Sequence, residues 1–353
     1  MKKSLSAFVG FALADAMGVP REFYDREYLD KYPVTDMMGY GSYNVPEGTF
    51  SDDSSLMFAT CDGIIKTSGV ITEDTYEKVA DNFSCYMYHG AFTPGKRMFD
   101  IGNTTKKAIE KYVRSKDIKP YDCGGDSPLV NSGNGALMRI LPIAFYAKAN
   151  NLSDFEVASI VKKMSGITHR LETCSLGAYM YTKFAMSLID GKDKFEAYKD
   201  MQKSNYDMFM LPARLQYSDV LTTDISLLPR QAVPSSGKTK ESLVATLWSF
   251  LNSTDYSSAV LTAINLGGDT DTIGALTGGL AGLYYGGHSI NKEWLGKLRR
   301  LDYIKTLSES FDQAIETKEI PQKFDSIKGE AGEPIKFSSL CKFYSIDPRD
   351  FEL

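Results

Sequence analysis

Residues 264–287 read INLGGDTDTIGALTGGLAGLYYGG and set two acids, Asp269 and Asp271, at the head of a long apolar run. Like charges held that close repel, and each loses hydration against a core, so the pair needs a compensating partner. The run carries Gly274, Gly278, Gly282 and Gly286 at intervals of four. On a helix these form one strip without side chains, along which a second backbone can approach closely. Thr272 to Tyr285 is shorter than the roughly 20 apolar residues a membrane span needs. The spacing therefore predicts a tightly packed central helix over 271–286 that holds both acids rigidly at its N-terminus.

The helical period continues outward. Leu5, Phe8, Val9 and Leu13 share one stripe, as do Met57, Cys61, Ile64 and Ile65. Further helices are predicted at 72–90, 102–115, 135–148, 154–164, 172–190, 240–252, 256–266 and about 292–317, while alternating strand patterns are scarce. The expected class is all-α: a single compact multi-helix domain over 1–320, followed by a polar C-terminal extension over 321–353. Pro33 to Ser51 and Asn205 to Lys240 read as long loops, which in a compact helical domain often border a site.

Composition excludes several classes. The 353 residues hold 40 Lys and Arg against 45 Asp and Glu with no dense basic block, so no nucleic-acid partner is expected. Five widely spread cysteines without a CxxC pair indicate neither a disulfide framework nor a zinc cluster, and suit a reducing compartment. The start MKKSLSAFVGFALADAMG mimics a secretory leader, but Asp15 falls where the cleavage region would begin, so a first helix is expected. A soluble, cytoplasmic, monomeric protein without a membrane partner is the expectation.

A second acidic stretch, GTFSDDSSLMFATCDGII at 48–65, repeats the pattern of the first: Ser51, Asp52 and Asp53 precede an apolar helix. Helix capping is the simpler reading of either cluster, yet capping needs one acid and each cluster supplies two with a flanking hydroxyl, Ser51 or Thr272. Should the clusters meet, their four carboxylates demand a counter-charge. Oxygen donors suit Mg²⁺ or Mn²⁺, and the adjacent Asp52 and Asp53 point differently enough to serve two ions. In ADAMGVPREF, at 14–23, Asp15 ends the first helix and Glu22 follows a turn, where a surface carboxylate is the simpler reading. In NSGNGALMRILPIAF, at 131–145, Gly133, Asn134 and Gly135 open a helix whose bare N–H groups suit an anion such as a diphosphate. A prenyl-diphosphate site is disfavoured, because Asp52 and Asp53 are followed by Ser54, Ser55 and Leu56 rather than a third acid in DDxxD register.

Together and in this order, these stretches resemble the ADP-ribosylglycohydrolase family, with ITHR at 167–170 and TPGKRMFDIGNTT at 93–105 completing the match from about residue 4 to 290. The last stretch looks most like the dinitrogenase reductase-activating branch. The resemblance implies an all-α hydrolase that removes ADP-ribose from protein side chains, with ADP-ribosyl-arginine as the linkage and reversal of mono-ADP-ribosylation as the outcome. It also implies two Mg²⁺ or Mn²⁺ ions held among Ser51, Asp52, Asp53, Glu22, Asp269, Asp271 and Thr272. Gly133, Asn134 and Gly135, with Ser132 beside them, would bind the ADP-ribose diphosphate, and His169 would help position the ligand. Asp100 would face the departing guanidinium, and Asp100 or Glu22 would serve as the catalytic acid or base. Read from its position alone, Asp100 could equally cap the helix after Gly102.

Arg139 is expected to tie the helix after the glycine loop to a neighbouring carboxylate. Ser51 and Ser54 stand where the family usually has threonine, and no aromatic residue directly precedes the Gly-Asn-Gly element, which leaves the 205–240 segment as a candidate source of adenine contacts. Alternatives within the resemblance are another ADP-ribosyl linkage (serine, nucleobase or a toxin-modified target) and a non-catalytic relative that only binds ADP-ribose. Against the latter, every metal-site position carries an oxygen ligand.

Overall fold

Two helices, Lys3–Gly18 and Thr270–Tyr285, run through the middle of the molecule with their backbones in contact. A Cβ on Gly282 would lie 2.2 Å from the Ser6 carbonyl oxygen, and one on Gly278 would lie 2.5 Å from that of Gly10. The glycine strip is thus the contact surface it promised to be, one residue short. Gly286 lies beyond the helix end at φ +81° and serves the turn that follows. The N-terminal helix is buried on every side from Ser4 to Gly18, so its apolar stripe understates how central it is. Gly282→Ala is expected to cost about 3 kcal/mol or more, since the methyl meets backbone that cannot yield. A thermal unfolding scan measures the loss.

The computed structural model describes residues 2–115, 117–127 and 131–335. Among these every regular element is a helix, apart from two isolated β-bridges, Gly125 with His169 and Gly133 with Lys238, both beside the cleft discussed below. The helices Asp52–Lys66, Glu73–His89, Asn103–Arg114, Asp154–Gly166, Glu172–Ile189, Thr239–Leu251 and Tyr256–Ile264 lie where the periodicity predicts them. Pro33 to Ser51 is an irregular loop, as expected.

Three expectations change. The helix expected over 135–148 is a 3-10 turn, Leu137–Arg139, followed by an α-helix that begins only at Leu141. Pro142 is the cause: it lacks an N–H and suits only a first turn. The helix expected over 292–317 is two, Lys292–Lys297 and Leu301–Thr317, broken where Arg300 takes φ +59° and the Arg299 N–H bonds the Gly48 carbonyl at 3.0 Å. The 205–240 segment is not a plain loop, since it holds two short helices, Leu211–Gln216 and Ser218–Thr222.

The start of the expected extension docks onto the body. Phe324 and Ala331 are buried, and Arg300 pairs with Glu330 at 3.0 Å. Residues 336–353, with Cys341, lie outside the described residues. No helix among the described residues is long and apolar enough to cross a membrane.

Candidate active site

Capping of the acidic helix Asp52–Lys66 is done by other groups than its two leading acids. Asp15, fully buried on the N-terminal helix, accepts from the Ser51 N–H at 2.9 Å, the Ser54 N–H at 3.0 Å and the Ser54 hydroxyl at 2.5 Å. Ser51 is the N-cap, and its hydroxyl oxygen accepts from the Asp53 N–H at 3.3 Å. Asp52 and Asp53 are therefore free to point elsewhere. Burial pushes the Asp15 carboxyl up to about 6 against the pull of these hydrogen bonds. Asp15→Ala is expected to cost about 2–3 kcal/mol, because it leaves buried donors unpaired, and to reduce activity by loosening the helix end. Its unfolding midpoint and turnover check both.

The two acid clusters meet. Asp53 Oδ2 lies 3.2 Å from the Ser51 hydroxyl and 3.3 Å from that of Thr272, on the other central helix. A woven set of loops fixes the remaining acids. Gly268, at φ +76° and so close to Ser235 that a Cβ would stand 2.1 Å from its carbonyl oxygen, accepts from the Phe23 N–H and donates to the Tyr24 carbonyl, each at 2.7 Å. Arg26 binds this layer to the segment from 230 to 235, donating to the carbonyls of Leu266, Arg230 and Val233. Glu22 and Asp269 are thereby locked on opposite sides of one seam.

Glu22, Asp100 and Asp271 bring carboxylate oxygens within 4.8 Å of one another. Glu22 is only 7% exposed, so it is no surface carboxylate. Asp100 does not cap the following helix, whose N-cap is Gly102 with no side-chain bond. Instead the Tyr86 hydroxyl holds its backbone carbonyl, and its half-buried carboxylate faces the cleft. Tyr43, from the irregular loop, sets its hydroxyl beside both Glu22 and Asp100.

These carboxylates are buried and crowd one another. Burial, then the charges of Asp100 and Asp269, push Glu22 up to about 9. Burial likewise raises Asp52, Asp53 and Asp271 well above the carboxylate range, reinforced by Asp100 on Asp52, Asp15 on Asp53 and Glu22 on Asp271. Among the described residues no Lys or Arg forms an ion pair with any of them. Glu22 Oε2 and Asp53 Oδ1 are buried without a hydrogen-bond partner. Orphaned oxygens in an all-oxygen donor set are what a hard divalent cation would satisfy, so the residues fit a metal centre.

The glycine loop lines the cleft and is tied to its floor. The Asn134 N–H bonds the Gly237 carbonyl at 3.0 Å, and its side-chain amide donates to Asp269 Oδ2 at 2.5 Å and to the Ser242 hydroxyl at 2.8 Å. Asn134 thus ties the loop to the acidic floor. Gly135 packs on a ring: a Cβ there would lie 2.7 Å from His169 Cε1. Burial, with Arg139 nearby, pushes His169 down to about 3, and its Nδ1 lies 3.0 Å from the Thr168 hydroxyl, so it is a neutral hydrogen-bonding group in the wall.

Among the described residues Arg139 makes no contact with a carboxylate, contrary to expectation. It is wholly buried and donates to the carbonyls of Gly135 and Met164 and to the Thr168 hydroxyl, with its guanidinium 4.7 Å from the Phe83 ring centre. Carbonyl dipoles and the ring face replace the ion pair.

These groups enclose a cleft of about 630 Å³ lined by Glu22, Asp52, Asp53, Asp100, Gly133, Asn134, Gly135, His169, Asp269, Asp271 and Thr272. Ser51 and Ser132 stand one layer back: Ser51 bonds Asp53, and the Ser132 carbonyl accepts from the Thr239 N–H at 2.9 Å. A family model described as ADP-ribosylglycohydrolase matches residues 1–321. The chain belongs to the ADP-ribosylglycohydrolase family.

An ADP-ribosylarginine hydrolase of Serratia proteamaculans is 29% identical over 310 residues, covering 88% of this chain and 78% of its own. The ADP-ribosyl-[dinitrogen reductase] glycohydrolase of Rhodospirillum rubrum is 26% identical over 303 residues, covering 84% and 90%. A solved structure described as an ADP-ribosylglycohydrolase-related protein complex aligns with a TM-score of 0.71 at 25% identity, covering 90% of this chain and 97% of that one.

Four features of this ADP-ribosylglycohydrolase cleft escape the sequence reading. Tyr43 lies in a loop flagged only by its length. Asp15 is placed at a helix end without its role of clamping Ser51 and Ser54. Ser236 and Gly237 reach the cleft from the 205–240 segment, which was expected to border the site but without these residues being named. Phe23 also lines the cleft; the stretch ADAMGVPREF was singled out for its acids, and nothing in it marked the ring itself.

Proposed function

We propose that this chain is a divalent-metal-dependent hydrolase that removes ADP-ribose from arginine side chains of modified proteins and so reverses mono-ADP-ribosylation. The observation that carries the reading is the convergence of Glu22, Asp100 and Asp271, with Asp52, Asp53 and Asp269 beside them, in one cleft without a compensating cation among the described residues. The arginine linkage draws support from the relatives named ADP-ribosylarginine hydrolase and ADP-ribosyl-[dinitrogen reductase] glycohydrolase.

Glu22, Asp52, Asp53, Asp269, Asp271 and the hydroxyls of Ser51 and Thr272 would hold the metal, which we take to be two Mg²⁺ or Mn²⁺ ions. Bound there, the ions supply Lewis acidity that orients the ribose hydroxyls and acidifies a water. The glycine loop and His169 hold the ADP-ribose half in the cleft. Water oxygen bonds to the anomeric carbon as the carbon–nitrogen bond breaks through an oxocarbenium-like centre, and the bonding pair leaves on nitrogen. Asp100, the half-buried acid, accepts the water proton and returns it to the neutral guanidine, which departs as guanidinium. Tyr43 holds the Asp100 carboxylate toward the cleft.

ADP-ribose release from an ADP-ribosyl-arginine protein and from an ADP-ribosyl-serine peptide tests the linkage. Release from the arginine conjugate alone is expected. Release from serine alone would move the chain to another branch of the same chemistry.

A further inference from the structure

Phe23 follows Glu22 directly and sits in a conformation that a bulky residue adopts only under compulsion, with φ +69°. Both flanks are pinned: the Phe23 N–H donates to the Gly268 carbonyl and the Gly268 N–H to the Tyr24 carbonyl, each at 2.7 Å. Glycine would take this backbone shape without strain. The side chain gains no burial in return, for the ring is 74% exposed at the lip of the cleft. Its neighbour Tyr24 is covered by Arg21, whose guanidinium lies 5.2 Å from that ring centre, whereas among the described residues neither an aromatic ring nor a cation stacks on Phe23. A strained, fixed and uncovered ring beside an acidic centre indicates a contact supplied from outside the chain.

We infer that Phe23 is a substrate-contacting residue whose ring face receives the arginine guanidinium of the target, a step that rests on the arginine reading above. The bond to be cut must lie at the acids, and Glu22 is one of them. The guanidinium begins one bond beyond the anomeric carbon, while the adenine is separated from it by the ribose and the diphosphate. A planar, weakly hydrated guanidinium is the group that stacks on an aromatic face. Asp100 and Phe23 would then recognise the same cation by charge and by ring.

The test measures kcat/KM on ADP-ribosyl-arginine as the free small molecule, together with inhibition by ADP-ribose, for the native protein and for Phe23→Trp, Phe23→Leu and Phe23→Ala. The ring is exposed, and melting temperatures confirm that the variants fold. We expect Trp to keep native activity, and Leu and Ala each to lose roughly tenfold, the size of one partly desolvated cation–aromatic contact. ADP-ribose inhibition should stay within about twofold, as expected of a ring that does not touch the product. Leu matching the native protein, or ADP-ribose inhibition weakening in parallel, would overturn the inference while leaving arginine hydrolysis in place. A native protein inactive on the arginine conjugate would remove the arginine reading and this inference together.

Discussion

Asp271→Asn will abolish divalent-cation binding and lower turnover by about three orders of magnitude or more, yet the metal-free variant will melt above the metal-free native protein. The two halves of this result have one cause. Asp271 is buried within 4.8 Å of Glu22 and Asp100, and its charge is opposed by desolvation and by its neighbours. Without metal that charge is a liability, so its removal should stabilise the fold by about 1 kcal/mol, worth roughly 1–2 °C in a domain of this size. The amide keeps the one local bond that matters, since its oxygen can still accept from the Thr272 N–H, found at 2.9 Å from Asp271 Oδ1. Added Mn²⁺ should raise the native melting temperature, because it binds the folded state alone, and leave the variant unmoved. Calorimetric titration with Mn²⁺ and melting curves of both proteins decide it. A variant that is destabilised without metal would mean that the acids are held by something other than an absent cation.

The second large effect belongs to Asp100. Asp100→Ala is expected to lower kcat by about 10³-fold, the range for removing a positioned proton acceptor, while ADP-ribose inhibition changes only severalfold. The asymmetry follows from position: Asp100 is half-buried, faces the cleft and is held by Tyr43 and through its backbone by Tyr86. If it served only as a metal ligand, its loss would be largely rescued by raising the metal concentration; if it served only binding, KM would rise and kcat would hold. Steady-state kinetics at two Mn²⁺ concentrations separate these cases.

The centre of the fold was legible because one glycine strip and one acid pair can hardly coexist in any other arrangement. Gly278 and Gly282 announce a backbone contact, and the acids at 269 and 271 inherit the rigidity of that helix. Charge logic stated only what would follow if the two clusters met, and the Asp53–Thr272 contact, across 219 residues, shows that they do. The misses share a different origin. Period alone cannot tell a 3-10 turn from an α-helix before Pro142, nor show that Arg300 breaks a run when the Arg299 N–H is claimed by Gly48. Arg139 was assigned a carboxylate because buried cations usually have one; the chain supplies carbonyls and a ring instead, and no pattern in the sequence marks which carbonyls will be near. That the Asn134 amide bonds Asp269 is likewise a tertiary fact, with no pattern in the sequence to mark it. Tyr43 and Phe23 could be found only once the loops had been placed around the acids.

ADP-ribose release is expected to depend on a metal centre held by these carboxylates. The most direct measurement is release from an ADP-ribosyl-arginine protein by chain stripped with EDTA, then titrated with Mg²⁺ or Mn²⁺. We expect no release from the stripped protein, and saturable recovery with one or both ions. Full activity after stripping, in a protein shown by elemental analysis to be metal-free, would contradict the claim.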